Sequence, residues 1–356
     1  MKIAVAISGI CILGACSTTP GTSLMDFCGE TVTTERNWEI LRSEDQLAGA
    51  LFSVRGTSAS DVWVVGATDK NKAEFGAQVL QWDGKVWTRF KTGAHGELWW
   101  IAPGTANGDW WMAGSEGQIV HRSADGTFTL MQAPDKTQLF GIHVVKDNDV
   151  YAVGGTGSCS GGLTCGVIWH YDGKNWSEAK GLDDKLRTES SWFKVWGRGE
   201  EVWVVGSGGH IIRGKNGVWT EEITGVDDQI FTISGNASLR VAVGGGASGV
   251  LLEDSGSGWK PGKINGKNLP GLRGVFVPES GRPVAVGING AVWVRCGDTW
   301  TADARPRDSL SALDDLHATW TSTQGEVFAV GGDLNAYKFG ELLRFGEKSP
   351  GSNLFP

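Results

Sequence analysis

Seven copies of one short phrase lie roughly 38 to 52 residues apart, and a lone tryptophan-bearing strand sits near the N-terminus. Together they predict an all-β fold: a seven-bladed β-propeller closed by pairing the N-terminal strand with the last blade. The phrase is an acidic or turn residue, a small apolar run and a closing glycine. Its clearest copies are Asp61-Val62-Trp63-Val64-Val65-Gly66, Asp149-Val150-Tyr151-Ala152-Val153-Gly154 and Glu201-Val202-Trp203-Val204-Val205-Gly206. Weaker copies end at Gly114, Gly244, Gly287 and Gly331. Six blades is the alternative if one weak copy is misread.

From Leu51 each repeat has four parts. An innermost strand such as Leu51-Phe52-Ser53-Val54 comes first, followed by the strand that closes on glycine. A third strand runs into a tight turn, as in Leu80-Gln81-Trp82-Asp83-Gly84 and Trp169-His170-Tyr171-Asp172-Gly173. Asp-Gly suits such turns because both residues tolerate positive φ. The outer strand opens on Trp87, Trp176, Trp219, Trp259 or Trp300, with Phe128 in one repeat. These tryptophans read first as packing between neighbouring blades, which is how repeated small sheets build a continuous core.

The last repeat, Leu316 to about Phe345, lacks an outer strand, and Asn37-Trp38-Glu39-Ile40 resembles the missing piece. Pairing the two closes the ring and leaves no inner sheet edge. The expected organisation is a signal segment at 1–15, a tether at 16–30, the propeller at 31–346 and a tail at 347–356.

Composition agrees. Fifty-four glycines beside 18 tryptophans and only 20% charged residues describe many tight turns around an apolar interior rather than disorder. A formal net charge of −8 without a basic cluster argues against a nucleic-acid partner.

The N-terminus carries Lys2, an apolar stretch from Ile3 to Ile12, and then Leu13-Gly14-Ala15-Cys16. The stretch is too short to span a bilayer. Its ending resembles the lipobox of bacterial lipoproteins. The resemblance implies cleavage before Cys16 and attachment of acyl chains such as palmitate there. Ser17, in place of an aspartate, implies sorting to the outer membrane, facing either the periplasm or the cell surface. Several chains, at about 0.8 kcal/mol per buried methylene, make a stable anchor. Cleavage removes Lys2 and leaves a mature charge of −9.

Beyond Cys16 four cysteines remain, Cys28, Cys159, Cys165 and Cys296, and three pairings are open. Cys159 and Cys165 flank a Gly-rich loop and are natural partners. Cys28 and Cys296 are left for each other, and the blade assignment brings them close.

One face of such a ring carries the links between blades and the loops between second and third strands. Two of those loops are extended, Ala67 to Gly76 and Thr156 to Gly166. The acidic pairs Asp183-Asp184, Asp227-Asp228 and Asp314-Asp315 fall in the links, without calcium-loop spacing. The second residue of the innermost strands reads Phe52, Trp99, Phe140, Phe193, Phe231, Arg273 and His317. Five aromatics, a cation and an imidazole around the channel mouth make a candidate ligand-binding ring. Inter-blade packing is the alternative.

No enzyme signature was found. The Asp-Gly-x-x-Trp turns and Ser123-Ala124-Asp125-Gly126 resemble the Asp-boxes of sialidase-like propellers, which are structural turns. A sialidase-like site would also need an arginine triad and a well-placed nucleophilic tyrosine; Tyr337 is a poorly placed candidate. Six histidines are scattered singly, so no metal site is expected, and no phosphate loop, nucleophile elbow or dinucleotide fingerprint appears. No catalytic residue and no cofactor is assigned. Residues 37 to 345 resemble tryptophan-rich bacterial β-propeller lipoproteins with Asp-box-like or tectonin-like repeats. The resemblance implies a non-catalytic binding scaffold anchored to a membrane, with a protein or glycan of the cell envelope as partner. A lectin-like propeller is the alternative, and a glycan-acting hydrolase a third.

Overall fold

The computed structural model of the chain describes residues 26–31, 34–40, 47–156, 165–303 and 315–347. Seven sheets, each built on four antiparallel strands, stand in a ring. The first blade is Leu51–Ser58, Asp61–Gly66, Val79–Trp82 and Trp87–Arg89, in that order from channel to rim. Blades two to six repeat the plan. In the seventh, Asp315–Thr321, Val327–Asp333 and Lys338–Gly346 are completed by Asn37–Ile40 from the other end of the chain.

The second strand of each blade is apolar at consecutive positions because each sheet is sandwiched between two others. Val62 and Val64 pack toward Trp320 and Phe328 of the seventh blade. Trp63 and Val65 pack toward Ile101 and Trp110 of the second. The rim tryptophans Trp87, Trp259 and Trp300 are buried between blades. In the hairpin turns Asp83 accepts from the Lys85 and Val86 amides, both at 2.8 Å, and Asp172 accepts from those of Lys174 and Asn175.

Closure uses several independent ties. Trp38 pairs with Phe345 in the ladder, Arg344 bridges Glu39 at 3.0 Å, and Trp38 Nε1 donates to Asp303 at 2.6 Å. The disulfide Cys28–Cys296 joins residues 268 apart in sequence and fastens the segment before Asn37 to the sixth blade. Cys165 is also disulfide-bonded. Its expected partner Cys159 lies outside the described residues, as do Cys16, the signal segment, most of the tether, Asp314 and the tail beyond Glu347. Among the described residues no helix is long and apolar enough to cross a membrane.

Three local features were not anticipated. Lys263–Asn265 adds to the rim of the sixth blade, parallel to Thr299–Ala302, and makes that sheet five-stranded. Three residues without alternation carry no readable strand period. The outer strands of the fourth and sixth blades begin one residue before their tryptophans, at Val218 and Thr299. The link from the third to the fourth blade contains a helix, Asp184–Glu189. Asp183 caps it, accepting from the Lys185 amide at 2.8 Å, and Asp184 pairs with Arg187. This acidic pair is therefore occupied by helix capping.

Candidate functional site

The repeated glycine has a specific physical cause. A Cβ on Gly154 would lie 1.9 Å from the Gln138 carbonyl oxygen, and one on Gly114 2.0 Å from that of Glu97. At six of the closing glycines the obstacle includes the carbonyl of the residue just before the innermost strand, and at Gly331 it is that of Asp315, the first residue of that strand. That approach lets the residue after the glycine donate its N–H to the same carbonyl, as Ala67 does to Ala50 at 2.9 Å and Gly155 to Gln138 at 3.0 Å.

Pulling the strand entrance tight leaves one residue too many in the innermost strand. Each of the seven therefore carries a bulge near its start, between the first and third residues in six of them and between Leu316 and Ala318, the second and fourth, in the last. The residue without a ladder partner is Phe52, Trp99, Phe140, Phe193, Phe231, Arg273 or His317, one per blade. A bulge turns its side chain away from the ordinary alternation. Here that means toward the channel axis.

The seven side chains meet in sequence. Phe52 stacks on Trp99 with centroids 4.2 Å apart, Trp99 meets Phe140 edge-on at 5.3 Å, and Phe140 meets Phe193 at 5.9 Å. Phe193 lies 5.3 Å from Phe231, whose ring is covered by the Arg273 guanidinium at 4.6 Å. His317 returns to Phe52 at 5.6 Å. Phe52 and Phe193 are buried, whereas Trp99, Phe140, Phe231, Arg273 and His317 are half-buried. Phe52 and Phe193 thus serve as packing, and the other five keep some surface. Trp99 is held by its Nε1, which donates to Gln138 at 2.7 Å when the amide oxygen is turned toward the indole.

Tyr337 completes the mouth. It lies edge-on to both Phe52 and Trp99, at 5.7 and 5.8 Å, and is 37% exposed. Its φ of 55° marks a tight turn between the last two strands of the seventh blade. Sequence reasoning had considered Tyr337 only as a nucleophile and missed this position. Nothing in the local pattern marks a backbone turned back over the channel.

Below the ring the channel holds cations. Lys194, 3% exposed, follows Phe193 and reaches across to donate to the Phe140 carbonyl at 2.7 Å. Its ammonium lies 4.1 Å from the centre of the Trp100 indole, and the Arg55 guanidinium lies 4.4 Å from the same centre. The two charges are therefore within about 9 Å of each other, a repulsion of roughly 2 kcal/mol or more at an effective dielectric near 20. Arg55 donates to the carbonyls of Val54 at 2.8 Å and Thr319 at 3.1 Å. Among the described residues no carboxylate pairs with either.

Burial, with the Arg55 charge added, holds the Lys194 ammonium well below the usual lysine range. Burial also lowers Arg55, to about 9. His317 is pushed down to about 3 by burial first, then by the Lys194 and Arg273 charges. Its Nδ1 faces the Phe52 carbonyl oxygen, so Nδ1 carries the proton of the neutral ring. Sequence patterning gave no sign of Lys194 or Arg55, because one charged residue in a short strand reads as solvent-facing. Among the described residues no group of three metal-ligand side chains converges.

No protein-family model matches the chain, and no curated protein matches it significantly. Solved structures do. A YCF48 bound to a D1 peptide is 13% identical with a TM-score of 0.60, over 87% of this chain and 97% of that one. YCF48 from Cyanidioschyzon merolae is 14% identical with a TM-score of 0.60, over 86% and 98%. The WD40 repeats of RRP9 are 12% identical with a TM-score of 0.61, over 88% and 98%. At such identities the likeness is one of fold: a seven-bladed propeller.

Proposed function

We propose that the chain is a non-catalytic binding scaffold that docks a protein or peptide of the cell envelope on its channel-mouth face. The observation that carries this reading is the ring of seven bulge residues under Tyr337. Each blade contributes one side chain, and five of the seven keep part of their surface in water. Flat aromatic surface beside one guanidinium suits a partner that offers apolar side chains and a few hydrogen-bonding groups. A similar propeller has been solved with a peptide bound, which supports the class of partner and nothing finer. The lipobox-like Leu13-Gly14-Ala15-Cys16 supports lipidation at Cys16 and tethering at the outer membrane.

Crosslinking from intact envelopes, with Trp99→Ala and Phe231→Ala beside the parent, tests the docking face. Retained folding by circular dichroism with at least tenfold weaker capture of the same partner is expected. Capture that is unchanged, or that a free sugar competes away, would overturn the reading. Loss of palmitate labelling in Cys16→Ser tests the anchor.

A further inference from the structure

We propose that the channel beneath the aromatic mouth binds a small monovalent anion, a halide or a carboxylate, between the Lys194 ammonium and the Arg55 guanidinium. The site is built from two blades lying across the channel from each other, and both cations press on the Trp100 indole. An ammonium has three N–H donors, and Lys194 gives only one to a protein acceptor, the Phe140 carbonyl. Arg55, half-buried, donates through Nη1 to the Val54 and Thr319 carbonyls, and among the described residues no acceptor meets its Nη2 or Nε. A cation as buried as Lys194 is ordinarily paired. Among the described residues the nearby titratable groups do not supply the missing charge. His317 is neutral and Arg273 is a further cation, whose acidic neighbour among the described residues, Asp315, lies at the strand entrance and accepts from the Asn289 amide.

A small anion would meet the N–H donors left over by Lys194 and Arg55, and it would cancel repulsion between the two cations. A divalent metal would meet the same cations as repulsion. The inference is independent of the docking reading, since Lys194 lies beneath the mouth and is itself buried.

Thermal unfolding of the full chain at constant ionic strength tests it, with sodium chloride, bromide or acetate replacing a bulky sulfonate. A saturable rise in Tm is expected, about 3–4 °C once the anion reaches roughly 100 times its Kd. The rise should shrink as pH is raised, because a deprotonated Lys194 has no charge to offer. It should vanish in Lys194→Met and survive in Lys194→Arg. A difference between halide and acetate identifies which of the two the channel prefers. Equal Tm in every salt, or a full rise in Lys194→Met, would overturn the proposal; so would bromide crystals whose anomalous signal lies away from Lys194.

Discussion

Lowering the pH from 7 to 5 is expected to destabilise this propeller through two imidazoles. Burial pushes His317 down to about 3, with the Lys194 and Arg273 charges adding to it, and pushes His143 down to about 4, with Asp149 partly opposing. An unfolded histidine titrates near 6.5. Between the folded and unfolded values only the unfolded chain takes up the proton, so stability falls as pH drops below 6.5. Each imidazole then contributes about 2 kcal/mol of loss at pH 5 relative to pH 7, or about 4 kcal/mol together. That is a large share of a typical unfolding free energy. Urea unfolding at half-unit steps through this window measures it, above the range where carboxylates titrate. The other four histidines stand beside carboxylates. The informative quantity is therefore the difference between the parent and His143→Gln or His317→Gln. Each variant should lose about half of the predicted slope. A slope unchanged in both variants would refute the reasoning that burial holds these rings neutral.

Gly154→Ala drives a Cβ against the Gln138 carbonyl and should cost about 3 kcal/mol. Gly246→Ala, with open space around it, should be neutral by the same urea titration. Cys28→Ser should lower the urea midpoint by the equivalent of about 2–5 kcal/mol, with reductant abolishing the difference from the parent. In sulfonate buffer at pH 7, Lys194→Met should raise stability by about 1–3 kcal/mol. It removes a buried cation that only one carbonyl satisfies; a loss above 1 kcal/mol would show that the ammonium is better paired than its contacts indicate.

The legible parts were those that each blade repeats. Val62 to Val65 read as a strand buried on both faces, and Asp83-Gly84 as a hairpin turn, because both depend on near neighbours in sequence. Trp38 was placed against the last blade because a four-part unit lacked its fourth part. The positions of the bulge residues are legible in the repeat, yet the bulge itself is not. It arises from the approach of Gly154 to Gln138 across a strand pair, and neither residue betrays the other. Lys263–Asn265 escaped notice because a parallel rim strand of three residues is defined by its partner.

The amino-acid sequence alone carried the blade period, the missing outer strand that closes the ring and the candidate position in each innermost strand, since those follow from a repeat and a missing piece. Tertiary structure alone decided what gathers in the channel. Tyr337 over the mouth, and Lys194 and Arg55 against one indole, come from different blades and are brought together only by the curvature of the closed ring.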